Sequence, residues 1–240
     1  MNARLSAPGR ERVIVALDVP DLAQLETFLD RLEAQPRWYK VGLELFLAEG
    51  ARAIEAVKRR NGRVFLDLKL HDISETVARA VASVRRLGVE LLTVHASGGH
   101  EMIKRAVEAT EGQMKILGVT VLTSLQQSDL QADGLTGSVA DVVARRARVL
   151  REAGGAGLVC SPQEVATVRG FDNDLLLVVP GIRPAGAALG DQKRVGTPAE
   201  AIAAGADYLV VGRPLRDAAQ PAAAFAALAA EIDGALGATK

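Results

Sequence analysis

RVFLDLKLHDISETVARAVASVRRLGVELLTVH, residues 63–95, reads as strand, helix and strand in succession. Arg63–Lys69 is short, apolar at alternate positions and rich in Val, Phe and Leu, as strands are. Residues 73–87 place apolar side chains at i, i+3 and i+4, the spacing of an amphipathic helix. Gly88 stands where that helix should stop. Glu90–His95 is a second short apolar run. A strand, a crossover helix and a strand form the unit of a parallel sheet.

The same alternation extends in both directions. Further strands are read at Val13–Asp18, Trp38–Gly42, Lys115–Thr120, Ala156–Cys160, Leu175–Val179 and Asp207–Gly212. Helical patterns occupy 22–34 and 138–153, and Gly154 and Gly205 supply further stops. Eight strand–helix units in a chain of 240 residues predict an α/β fold, a closed (β/α)8 TIM barrel filling residues 1–240 as a single domain. An open doubly wound sheet fits less well. It would carry a glycine-rich phosphate turn after the first strand, where this chain reads LDVPDL, residues 17–22. The longest stretches without a pattern are 123–137 and 181–196.

Composition narrows the function. The chain is 49% hydrophobic and 24% charged, ordinary for a globular protein. Lys plus Arg number 29 and Asp plus Glu 29, so the chain lacks the basic excess of a non-specific nucleic-acid binder. The single cysteine, Cys160, allows no intrachain disulfide and suits a reducing compartment. The N-terminus shows no secretory signal and no apolar run is long enough to cross a membrane, so a cytoplasmic protein is expected.

The charges within strands carry the chemistry. Alternation on the third strand puts Val64, Leu66, Leu68 and Leu70 on one face and Phe65, Asp67, Lys69 and His71 on the other. The apolar set suits the helix layer, so Asp67 and Lys69 should point into the barrel. Buried charges are costly unless they pair or work. Asp18, Lys40, His95 and the pair Gly212-Arg213 also lie in or at the ends of strands, towards the C-terminal rim where barrel active sites sit. Any one of these could be a structural ion pair, but convergence of four strands on one rim favours a site. A lysine between Asp67 and Asp72 suits a general acid better than a Schiff-base nucleophile, which needs a neutral amine. Late in the chain, PGIRPAGAALGDQKRVG at 180–196 contains Arg183, Gln192, Lys193 and Arg194, and VVGRPL at 210–215 ends the last strand. Barrels often hold phosphate with the loops after strands seven and eight. The competing reading, a solvated surface loop, is weaker for a loop this long in a compact chain. His71, His95 and His100 lack metal-ligand spacing, SGGH at 97–100 is a simple turn, and Trp38, Tyr39 and Cys160 read as packing.

At DLKLHDI, residues 67–73, the chain resembles the orotidine 5′-phosphate decarboxylase family, of the bacterial type. ALDVPD at 16–21, KVGLELF at 40–46, VLTS at 121–124, VPGIRPAG at 179–186, GDQKR at 190–194 and VVGRPL at 210–215 resemble that family's blocks in the same order. The resemblance implies decarboxylation of orotidine 5′-monophosphate (OMP) to UMP without a cofactor. It implies that Asp18 holds the ribose or base region with Lys40 beside it on the ribose hydroxyls, and that Lys40, Asp67, Lys69 and Asp72 form a charged network. Lys69 would protonate the carbon that loses CO2, and Asp67 would repel the departing carboxylate. Thr123 and Ser124 would meet the pyrimidine. Arg183, Gln192, Gly212 and Arg213 would grip the phosphate. Asp72 and Thr76 would reach the neighbouring site of a homodimer. Two alternatives compete. A magnesium-dependent sugar-phosphate enzyme would carry an acid where Lys40 stands, and a cation there repels a metal. A non-catalytic phosphate-binding barrel would be expected to lose Lys69 or one of the aspartates.

Overall fold

The computed structural model describes residues 7–183 and 194–238. Eight parallel strands close into a barrel in sequence order. They are β1 Val13–Ala16, β2 Trp38–Gly42, β3 Arg63–Leu70, β4 Leu91–His95, β5 Lys115–Val119, β6 Gly157–Val159, β7 Leu176–Val179 and β8 Tyr208–Val211. Closure is direct: Val13 pairs with Leu209 and Val15 with Val211.

Apolar residues on both strand faces build two separate cores. Ile14, Trp38, Phe65, Leu117, Leu176 and Val210 pack inside the lumen. Val13, Val15, Val64, Leu66 and Leu92 pack outward against the helices. Strands buried on both faces read as nearly continuous apolar runs, which is why β1 and β7 show little alternation in polarity. Trp38 meets Tyr208 edge-on at 5.3 Å and carries the Arg63 guanidinium 5.1 Å above its ring, so the lumen is filled at its N-terminal end.

The helices follow from local chemistry. Asp21 caps Leu22–Arg31 by accepting the Gln24 N–H at 2.8 Å. Ser138 with Asp141 forms a capping box on Val139–Glu152. Gly88, Gly154 and Gly205 adopt φ of 64°, 84° and 107°, a region that favours glycine.

Several boundaries differ from expectation. β1 ends at Ala16, β5 at Val119, β6 at Val159 and β8 at Val211, so Asp18, Cys160 and Gly212 lie just past their strands. There the backbones begin to leave the ladder, although Leu17 N–H still reaches the Lys40 carbonyl at 2.9 Å. The helix expected over 22–34 stops at Arg31, and Glu33 and Ala34 both have φ of 53°. The region after β2 holds two helices, Leu43–Glu49 and Ala51–Arg59. The stretch 123–137, expected to be irregular, contains the helix Gln127–Ala132 with a Gln126/Asp129 capping box. Its one buried residue, Leu130, gave no apolar period to read. Among the described residues, no helix is long and apolar enough to cross a membrane.

Candidate active site

At the C-terminal rim a cavity of about 470 Å³ opens into the lumen. That volume suits a small-molecule site. Its floor is apolar, with Ala16, Phe65 and Val210, and its walls carry the charged residues.

Four side chains form a row of alternating charge. Asp18 Oδ1 lies 2.9 Å from Lys40 Nζ, which lies 3.9 Å from Asp67 Oδ2, which in turn lies 2.8 Å from Lys69 Nζ. They come from the ends of β1, β2 and β3, as the barrel argument requires. A Cβ on Gly42 would sit 3.0 Å from Lys40 Nζ, so a residue without a side chain leaves this ammonium its room.

Strand alternation brings Asp67 into the lumen, but a backbone irregularity places Lys69. The β3–β4 register shifts between Leu66 and Leu70, and Lys69 has φ of 52°. Its N–H donates to Thr93 Oγ1 at 2.8 Å, and the Thr93 hydroxyl donates to Asp67 Oδ1 at 2.9 Å. Thr93 is fully buried. Simple alternation fails beyond this point. His71 is exposed at the rim, its ring 5.3 Å from that of His95. Burial lowers the His95 pKa, with the charges of His71 and Lys69 acting in the same direction.

The cavity wall also receives the cations Arg183 and Arg213, with Gly181 and Gly212. Gly212 borders the row itself, since a Cβ there would lie 3.4 Å from Asp18 Oδ2. Arg183 is buried, and its Nη1 donates to the Ile182 carbonyl at 2.8 Å. Its backbone N–H donates to the Gly196 carbonyl at 3.0 Å, joining the two ends of the 181–196 stretch. Gln192 and Lys193 lie outside the described residues. Thr123 lines the cavity after β5, whereas its neighbour Ser124 is exposed and off the wall.

Two expected site residues stand apart within one chain. Asp72 and Thr76 are exposed and do not line the cavity. Asp72 Oδ1 accepts the N–H of Ile73 at 2.7 Å. Arg194, grouped by sequence with the phosphate loop, is buried away from the cavity and ion-paired to Glu164. Its side chain turns inward and donates to the Val121 and Leu122 carbonyls. Cys160 is fully buried, as packing requires, and also borders the cavity, and burial raises its thiol pKa.

The model of the family described as "Orotidine 5'-phosphate decarboxylase / HUMPS family" matches residues 11–228. The chain belongs to this family. An orotidine 5′-phosphate decarboxylase from Anaeromyxobacter sp. (strain K) is 55% identical over 223 residues, covering 92% of this chain and 98% of the relative. One from Rhodopseudomonas palustris (strain BisA53) is 52% identical over 229 residues, covering 95% and 97%. The crystal structure of the Lactobacillus acidophilus orotidine 5′-phosphate decarboxylase superposes with a TM-score of 0.82 at 35% identity, covering 93% of this chain and 99% of that one.

Sequence alone pointed to neither Thr93, buried behind Asp67, nor Arg216. Thr93 shares the lumen parity of Leu91 on β4, and a polar residue on that parity is a signal that could have found it. Arg216 lines the cavity and donates to the Asp18 carbonyl at 3.0 Å. No strand pattern marks it, because it lies in the short helix Arg213–Arg216.

Proposed function

We propose that this family member decarboxylates OMP to UMP and CO2 without a cofactor, with Lys69 as the proton donor and the barrel as its single catalytic domain. The observation that carries the reading is the Asp18–Lys40–Asp67–Lys69 row sharing one cavity with Arg183 and Arg213. Ammonium groups and guanidinium groups in one cavity suit a nucleotide that carries both a reacting carboxylate and a phosphate. Arg183 and Arg213 take the phosphate, joined in the reading by Gly212 and Gln192. Thr123 and Ser124 meet the pyrimidine.

In the reaction the carbon–carboxylate bond breaks and its electron pair stays on the ring carbon. The Lys69 ammonium stabilises that pair and then donates its proton to it. Water reprotonates the amine. Phosphate binding remote from the reacting carbon contributes energy that assembles the site.

A homodimer with Asp72 and Thr76 completing the neighbour's site is part of the proposal. Support comes from their exposure in one chain and from two exposed apolar side chains at the same rim, Ile73 at 73% and Leu47 at 79%. A cytoplasmic location also belongs to it, supported by a cysteine content that allows no intrachain disulfide.

The family description spans more than one chemistry, and Lys40 bears on the choice. Its ammonium sits between Asp18 and Asp67, where a divalent cation would otherwise find oxygen donors. The test is the loss of orotate absorbance when OMP is added in EDTA. Turnover in EDTA is the expected result. Strict dependence on Mg2+ favours the sugar-phosphate chemistry, and binding without turnover favours a non-catalytic barrel.

A further inference from the structure

The cavity has a buried support of its own. Arg194 and Glu164 form an ion pair with side chains 9% and 5% exposed. Glu164 Oε2 also accepts the Ser161 N–H at 2.7 Å and the Ser161 hydroxyl. On the other side, Arg194 Nη2 donates to the Val121 carbonyl at 3.0 Å and the Leu122 carbonyl at 2.8 Å. The preceding carbonyl, that of Thr120, accepts from Arg146 Nη1. Three consecutive carbonyls after β5 are therefore held by guanidinium groups. Val121, Leu122 and Thr123 of this same segment line the cavity.

Arg194 is also two residues from Gly196, whose carbonyl holds the Arg183 N–H and whose own N–H donates to Gly181 at 3.2 Å. The segment beside the pyrimidine and the root of the phosphate loop thus share one buried anchor. A buried ion pair contributes little net stability against an apolar replacement, so stability alone gives this pair no evident purpose.

We propose that Arg194, oriented by Glu164, is a positioning residue that fixes the 121–124 segment against the base and ties it to the loop carrying Arg183. The inference rests on the functional reading above. Nε of Arg194 has no hydrogen-bond partner among the described residues, so the two terminal nitrogens make the contacts. Lysine at 194 cannot replace them, because one nitrogen cannot span the carboxylate on one side and two carbonyls on the other.

The test is steady-state kinetics with OMP on wild type, Arg194→Lys, Thr123→Ala and the double variant, at a temperature where circular dichroism shows each folded. Arg194→Lys should raise KM and lower kcat/KM about thirtyfold through misplacement of the segment. In the Thr123→Ala background the loss should shrink to about threefold, because residues sharing one network couple. A purely structural role lowers the folded fraction without changing KM, and its effect is independent of Thr123. Equal losses in both backgrounds, or unaltered KM, overturn the inference. If Arg194→Lys does not fold, Arg194→Met with Glu164→Gln removes both buried charges together, and the same two results decide. A wild-type chain that leaves OMP untouched overturns the functional reading and the inference with it. Normal wild-type turnover with a kinetically normal Arg194→Lys overturns the inference alone.

Discussion

The Thr93 hydroxyl donates a buried hydrogen bond to Asp67 Oδ1 at 2.9 Å. With its oxygen also accepting the Lys69 N–H, Thr93 fixes both the carboxylate and the left-handed backbone that aims the lysine. Thr93→Val preserves the shape and removes both bonds. It should cost about 2 kcal/mol of stability, since a buried N–H and a carboxylate lose a partner. It should also lower kcat about a hundredfold through misplacement of Lys69. Chemical denaturation and kinetics on OMP measure the two effects. An unaltered kcat would show that Lys69 needs no such support.

Arg213 tests the division of labour within the cavity. Arg213→Ala should weaken OMP binding strongly and hardly change the slow reaction of orotidine, which lacks the phosphate. Bidentate charge-assisted bonds are lost only for the phosphorylated substrate. Comparison of kcat/KM for the two substrates decides. Equal losses would make Arg213 structural.

Sequence alone revealed much of this architecture and less of its detail. Short apolar runs separated by amphipathic ones are enough to count eight strands, and the lumen placement of Asp67 follows from alternation. The arrival of Lys69 does not, because it depends on the β3–β4 register shift, which alternation cannot express. In sequence Arg194 reads only as part of the basic stretch 180–196, with Gln192 and Lys193 before it. Its real partners, Glu164, Val121 and Leu122, are at least thirty positions away and become neighbours only when the barrel closes.

His95 supplies a pH signature. Its pKa is lowered in the folded chain by burial, then by His71 and Lys69. The unfolded chain, with an ordinary imidazole near pH 6.5, binds the proton more readily. His95 therefore adds no penalty above that pH, and stability is lost as pH falls from there towards the folded value. His95→Asn should flatten this part of the profile of melting temperature against pH. An unchanged slope would remove His95 as its cause.

Tyr39 offers a stability test remote from the site. Its hydroxyl is buried with no hydrogen-bond partner among the described residues, and burial raises its pKa to about 12. Tyr39→Phe removes an unsatisfied polar group and should stabilise the chain by about 1 kcal/mol. For a chain of this size that is a rise in Tm of roughly 2–4 °C. A lower Tm would show that the hydroxyl has a partner.

The shared site is tested by mixing. Lys69→Ala and Asp72→Asn homodimers should each be nearly inactive. Unfolded and refolded together in equal amounts, they should regain about a quarter of wild-type activity, because random pairing makes half the dimers mixed and each mixed dimer has one intact site. If Asp72 acts within its own chain, every site carries a defect. Mixed dimers confirmed by size yet inactive would rule out the shared site.

The central claim is that Lys69, held 2.8 Å from Asp67, delivers the proton that completes decarboxylation. The direct measurement pairs OMP turnover with UMP affinity in Lys69→Ala. The account predicts that turnover is lost while UMP affinity stays close to wild type, since it assigns the phosphate grip to Arg183 and Arg213 and not to Lys69. Near-normal turnover in Lys69→Ala would contradict it.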